Sequence, residues 1–303
     1  MIRVSAEEVE RLLPYAECIP LMRAAMIALS QGRTRQLLRQ ILDLPEGRAF
    51  GAMLGAMLED GVFGAKLVSV YPDNFAHGGP SHQGVVALFD AATGAPSAML
   101  DAGAITAIRT AAASAAATDA LARPDARRLA ILGYGEQARR HLAAIREVRD
   151  IERVTVWGRD LAKARAFGGI ACGSVEEAVA GADIICTVTA AAEPILRAEW
   201  VADGAHVNAV GSSRAGPREL DDALVARARL FADHAEGVRA QGAEYLHALA
   251  AGAIRPDHLL GEIGEVFAGT LPGRTGPGDV TIYKSLGSIV QDLAAARHIL
   301  AQL

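Results

Sequence analysis

The sequence predicts an α/β protein in which a doubly wound parallel sheet is joined to a second, α+β, domain. Three observations carry that expectation. The chain has 303 residues, room for two domains of ordinary size. After Pro124, short continuous apolar runs alternate with helical segments, the pattern of a parallel sheet covered on both faces. Before Pro124, short apolar runs are separated by Gly, Pro, Asn and Asp, the pattern of an antiparallel sheet with loops.

In chain order, residues 5–31 read as helical, with Ser5 as N-cap and Glu8 closing a capping box. Between Arg39 and Met99 the runs "AFGAML", "GAKLVSV", "GVVALFD" and "PSAMLD" read as strands, and "DAATG" (90–94) as a hairpin turn. Residues 104–123 form an alanine-rich helix that Pro124 stops. So many alanines permit close packing, so this helix is expected to be buried between other elements. "RLAILGYG", "RVTVWGR", "DIICTVTA", "AHVNAVG" and "ARLFAD" then read as strands, with "EQARRHLAAIREV", "DLAKARAF" and "SVEEAVAGA" as helices. The tail, "DVTIYKSLGSIVQDLAAARHIL", is a strand or loop running into an amphipathic helix.

Composition narrows the function classes. Hydrophobic residues make up 51% and charged residues 21%, which is globular rather than disordered. A net charge of -5, with both signs interspersed, gives no reason to expect a nucleic-acid or membrane-surface partner. Cys18, Cys172 and Cys186 form no C-x-x-C pair and read as buried, inert thiols in a reduced cytoplasm. The N-terminal stretch, "MIRVSAEEVERLL", is acidic and is followed by Pro14, so no signal peptide is expected. No apolar run approaches the length of a membrane span. The histidines show no metal-ligand spacing.

"GYGEQA", Gly133 to Ala138, closes an apolar strand and opens a helix, as a dinucleotide-binding turn does. Gly133 allows the tight turn, Gly135 lets the backbone approach a pyrophosphate, and Ala138 is small enough for the helix to pack on the strand. Glu136 and Gln137 lie in the first turn, where free N–H groups and the helix dipole favour an anion. The second strand ends at Gly158 and Arg159, where an NAD enzyme usually carries an acid for the ribose hydroxyls. Arginine suits a 2′-phosphate, so NADP(H) is expected ahead of NAD(H). Asp160 complicates that choice unless it caps the next helix.

Together these motifs resemble the ornithine cyclodeaminase/mu-crystallin family. The likeness rests on "GAKLVSVYPDN" (64–74), "HQGVVALFD" (82–90), "ITAIRTAAAS" (105–114), "LGYGEQA" (132–138), "VNAVGSSRAGPREL" (207–220) and "YKSLGSIVQDLAAA" (283–296), which together span nearly the whole chain. It implies a Rossmann-type doubly wound domain over 124–285. It also implies a second, substrate-binding and dimerising domain made of 1–123 with 286–303. Members of the family act on α-amino, α-keto and α-imino acids with a nicotinamide cofactor. Arg109 matches the family's carboxylate-binding arginine and Lys66 its active-site lysine. Arg39 falls where another substrate-binding arginine lies, with a solvated surface charge as the alternative. His82 and Gln83 fall in a segment that lines the substrate pocket. Val210, Gly211 and Ser285 fall in stretches that approach the cofactor, Ser285 with a helix cap as the alternative.

One position departs from the cyclodeaminases. Their loop after "AVG" carries an aspartate used in deamination, and aligned on this chain that aspartate falls at Ser213. A neutral hydroxyl is a poor base. The local pattern resembles the mu-crystallin branch, whose members reduce cyclic ketimines. The expected activity is therefore reduction of a small cyclic imino acid, with Lys66 as acid and Ser213 at the catalytic loop. The alternatives are ornithine cyclodeamination, an amino-acid dehydrogenase such as alanine dehydrogenase, and a non-enzymatic NADP(H)-dependent binding protein. Asp73 and Asp292 are candidates for a substitute acid. "MLGAM" (53–57) has Leu54 where family members often carry proline, which leaves the shape of the pocket wall open.

Overall fold

The computed structural model describes residues 1–71, 73–74, 79 and 82–303, and leaves the side chain of His82 outside that description. The chain divides into two compact units, Met1–Arg109 with Ser288–Leu303, and Thr110–Gly287.

The first unit runs through β1 (Ile2–Val4), α1 (Ala6–Leu12), α2 (Tyr15–Ser30), β2 (Thr34–Gln36), β3 (Gln40–Asp43), β4 (Ala49–Met57), β5 (Val62–Val70), β6 (His82–Asp90) and β7 (Pro96–Asp101) into α3 (Ala102–Leu121). The helix expected over 5–31 is two helices. Pro14 lacks an N–H and disfavours helical backbone at Leu13, so the first helix ends there and the second begins at Tyr15. The capping box at the start of α1 is complete, with both Ser5 and Glu8 bonding backbone. The sheet has seven strands in the order β1-β7-β6-β5-β4-β2, with β3 also paired to β4. All pairs are antiparallel except β1 with β7, which is parallel. β1 went unread because three residues are too few to show a period. At the "DAATG" hairpin, Gly94 N–H donates to Asp90 O at 2.8 Å.

The second unit continues through β8 (Arg128–Leu132), α4 (Glu136–Arg146), β9 (Arg153–Trp157), α5 (Leu161–Phe167), β10 (Ile170–Ala171), α6 (Val175–Val179), β11 (Ile184–Thr187) and β12 (His206–Ala209). There follow α7 (Asp222–Arg227), β13 (Arg229–Ala232), α8 (Ala235–Gln241), α9 (Ala243–Ala250), β14 (Leu259–Glu262), α10 (Ile263–Phe267) and β15 (Thr281–Lys284). Its eight strands lie in the order β10-β9-β8-β11-β12-β15-β13-β14, all parallel. Strand order reverses between β8 and β11, the switch point at which open α/β sheets bind ligands. The alanine-rich helix α3 is buried throughout Ala111–Thr118, as its small side chains require of a helix packed on several sides.

The chain then returns to the first unit in α11 (Ile289–Leu300), which lies against β4, β5 and β6, with α2 packed on it. Its approach to the sheet is close because two strand positions lack side chains. A Cβ on Gly55 would stand 2.5 Å from Ile289 Cγ2, and one on Gly64 would stand 3.2 Å from Leu293 Cδ2. The other face of the sheet carries exposed Leu42, Phe50, Leu54 and Phe63, with Phe63 stacked on Phe89 at 5.5 Å.

Candidate active site

In the second unit, parallel register carries the residues expected at the cofactor to one edge. Leu132 is level with Thr187 and Trp157, Thr187 with Ala209, and Ala209 with Lys284. The residues that follow each strand, Gly133, Val188, Val210 with Gly211, Ser285 and Gly158, therefore line the carboxyl end of the sheet. Gly133 has φ 128°, and a Cβ there would meet Val188 O at 2.8 Å, so only glycine turns the chain at this point. Gly135 is the N-cap of α4 and provides no side-chain cap, so the first N–H groups of that helix remain for an anion. Ala138 is buried beneath them. Glu136 is exposed and paired weakly with Arg140 at 3.5 Å.

Buried atoms on this edge, among them Gln137 Oε1, Thr187 Oγ1 and Ser285 Oγ, have no hydrogen-bond partner among the described residues. An uncapped helix start and orphaned polar atoms at a switch point fit a bound dinucleotide. Ser285 is not the helix cap considered for it. That place belongs to Ser288, whose hydroxyl accepts from Val290 N. Asp160 does cap α5, accepting from Ala162 N at 2.9 Å and Lys163 N at 3.1 Å. Its charge is thus spent on a helix start, and the exposed Arg159 stands beside Gly158 with no ion pair among the described residues.

The loop after β12 is held from below. Glu219 accepts from Gly211 N at 2.8 Å and from both the N–H and the hydroxyl of Thr189 at 2.7 Å. Glu219 N–H donates to Glu244 Oε1 at 3.1 Å. Lys284 lies 2.7 Å from Glu244 and donates to Ser212 O at 2.7 Å. Burial pushes the Glu219 carboxyl above its ordinary value, against the hydrogen bonds from Thr189. Ser212 is buried, its hydroxyl donating to Pro217 O, while Ser213 is half-buried.

The first unit gathers the expected substrate residues. Lys66 points from β5 to the side of the sheet that α11 covers, and it is 3% exposed. Its Nζ donates to Asp292 Oδ1 at 3.0 Å, and Arg109 Nε donates to the same oxygen at 3.1 Å. Arg109 Nη1 donates to Gln291 Oε1 at 2.8 Å. Burial pulls the Lys66 ammonium down to about 8; Asp292 opposes the fall, and Arg109 and Arg39 add to it. Burial would raise the Asp292 carboxyl, but the charges and hydrogen bonds of Arg109 and Lys66 hold it below its ordinary value. Arg39 is half-buried, and its charge adds the smallest of the pulls on Lys66. Two buried cations, Lys66 and Arg109, thus share one carboxylate. Lys66 and Arg109 keep N–H donors, among them Arg109 Nη2, without partners among the described residues.

Of the other expected residues, Gln83 is exposed near the start of β6, and His82 cannot be placed because its side chain lies outside the description. Asp73 is exposed and reaches Arg48 at 3.6 Å, whereas Asp292 is at the centre of the cation cluster. The roles of Asp292, Gln291, Glu219, Glu244 and Lys284 were not read from the sequence. "IVQDLAAA" did hold a signal: a carboxylate inside an apolar helix is seldom buried without a cationic partner.

A family model described as the ornithine cyclodeaminase/mu-crystallin family matches residues 1–303. The chain belongs to this family. Within it, the chain is 39% identical to the ketimine reductase mu-crystallin of Mus musculus, over 98% of this chain and 95% of that protein. Among solved structures it is similar to the Δ1-pyrroline-2-carboxylate reductase of Thermococcus litoralis in complex with NADH and L-proline. That match has 32% identity, a TM-score of 0.96, and covers 100% of this chain and 97% of the other. It is also similar to an archaeal alanine dehydrogenase dimer with bound NAD, at 30% identity and a TM-score of 0.93, over 99% of this chain and 95% of that one.

Proposed function

We infer that this chain is a nicotinamide-dependent oxidoreductase that reduces a small cyclic α-imino acid, Δ1-pyrroline-2-carboxylate or Δ1-piperideine-2-carboxylate, to the L-amino acid. The observation that carries the substrate class is the excess of buried cations over carboxylates around Asp292. A cluster with unmatched positive charge and spare N–H donors binds an anion, and a planar carboxylate suits the Arg109 guanidinium. Arg109 and Arg39 hold the substrate carboxylate. The Lys66 ammonium gives a proton to the ring nitrogen, and burial has already brought its acidity near neutrality. The reduced nicotinamide, when bound, supplies hydride to the imine carbon.

The residues that hold the cofactor are Gly133, Gly135, Gln137, Gly158, Val210, Gly211 and Ser285, with Glu136 and Ala138 in the same helix turn. Arg159 favours NADPH over NADH because Asp160 is already engaged on α5. Ser213 stands against cyclodeamination, and Asp292 does not replace the missing base, since its charge is engaged by Lys66 and Arg109. A second copy of this chain is the expected partner for the apolar sheet face around Phe50, Leu54 and Phe63. The archaeal relative described as a dimer supports that reading. Cys18, Cys172 and Cys186 are all free and buried, in keeping with a reducing cytoplasm.

The test is absorbance at 340 nm with purified protein, NADPH or NADH, and Δ1-pyrroline-2-carboxylate. A parallel sample holds L-ornithine with NAD+ and is assayed for ammonia. Cofactor oxidation without ammonia from ornithine is the expected result. Release of ammonia and proline from ornithine contradicts it.

A further inference from the structure

Asp292 has a geometry that carboxylate binding alone does not require. It is fully buried, it stands in the first turn of α11, and one of its oxygens takes both Lys66 and Arg109. The other oxygen, Oδ2, has no hydrogen-bond partner among the described residues. A counter-ion whose only task was to neutralise would be expected to use both oxygens, one for each cation. Sharing a single oxygen sets the two cations side by side and makes their charge states depend on one group.

We propose that Asp292 is a positioning residue for the reduction: through one shared oxygen it aims Lys66 and Arg109 together and keeps Lys66 an ammonium ion. The proposal rests on the reading of Lys66 as the acid. The groups facing Lys66 are few. Asp292 comes from α11, Arg109 from α3, and Arg39 from the segment between β2 and β3. On the strands beside it, Met53 of β4 and Val86 of β6 are uncharged. The α2 thiol of Cys18, which senses Arg109, is pushed up to about 12 and stays neutral. Among the described residues that act on Lys66, Asp292 is therefore the one anion, set against Arg109, Arg39 and burial. The start of α11 adds to its hold, because the positive end of a helix stabilises a carboxylate in the first turn.

The sign of the effect follows. Reduction needs Lys66 protonated, so turnover falls as pH rises through the lysine's own transition, near 8 in the parent enzyme. Asp292→Asn keeps the shape and removes the charge. The alkaline limb of kcat then moves to lower pH by about one to three units. Asp292→Glu, which keeps the charge, returns the limb toward the parent position. Arg109→Gln leaves the carboxylate wholly to Lys66 and moves the limb the opposite way, to higher pH. It also keeps the question open to measurement if Asp292→Asn does not fold.

Each variant is assayed for kcat against pH at saturating imine, and for inhibition by L-proline against pH. The second readout follows the charge of Lys66 without a proton transfer. Shifts of both transitions in the stated directions, at unchanged cofactor affinity, support the proposal. Uniformly lower rates with both transitions unmoved overturn it and leave Asp292 a structural group. A parent enzyme whose proline inhibition titrates but whose kcat has no alkaline limb overturns Lys66 as the acid, and the proline titration still decides the role of Asp292. A parent enzyme with neither transition overturns the carboxylate reading and this proposal together.

Discussion

Two of the buried ionic groups among the described residues are built from carboxylates and cations for opposite ends. Around Glu219, carboxylates outnumber cations, but the carboxylate of Glu219 is saturated by backbone and hydroxyl donors, and Lys284 answers Glu244 directly. Around Asp292, cations outnumber carboxylates and donors are left over. The first arrangement fixes a loop. The second leaves the protein with an unmet demand that a substrate anion can satisfy. A buried ion pair therefore says little by itself, and the informative quantity is what its members leave unpaired.

Substitutions at matched positions sharpen that contrast. Lys66→Met carries the largest expected effect, a loss of turnover of about 10²–10⁴-fold with cofactor affinity retained, read by steady-state rates and by quenching of NADPH fluorescence. A rate close to the parent's would place Lys66 with the structural lysines. Lys284→Met strips the cation from the saturated group and leaves Glu244 buried without its partner. It is expected to lower stability by about 3–5 kcal/mol, seen as a fall in Tm, while KM for the imine at low temperature stays near the parent value. A raised KM at unchanged Tm would erase the distinction drawn here. Arg159→Gln is the smallest: NADPH binding weakens by about tenfold and NADH binding holds, as expected for one solvent-exposed charge-assisted contact. Equal losses for both cofactors would remove Arg159 from the 2′-phosphate.

What could be read in advance followed the physics of each signal. Alternation of short apolar strands and helices announced the parallel sheet, and the glycine turn at Gly133 announced its ligand edge, because both are local patterns. Lys66 was legible because a lysine in an apolar strand needs a reason, and Arg109 because its motif resembles that of the family's carboxylate-binding arginine. The pairings of Asp292 with Lys66 and of Glu219 with Glu244 were not, since the partners lie 226 and 25 residues apart and no local spacing records such pairs. Helices α8, α9 and α10 also passed unread; they have five to eight residues, too few to display a clear amphipathic period. The break at Pro14 was overlooked because the apolar spacing on either side of it fitted one long helix.

The distance in sequence between Lys66 and Asp292 has a consequence for how the protein is made. The strand that carries Lys66 emerges from the ribosome early, but its counter-ion arrives on α11, after the whole of the dinucleotide unit has been synthesised. Until then a nascent chain holds a lysine and an arginine beneath a sheet face that nothing has yet closed. The order of synthesis thus makes the dinucleotide unit available to fold before α11 is made, and the pairing of Lys66 with Asp292 waits for that helix.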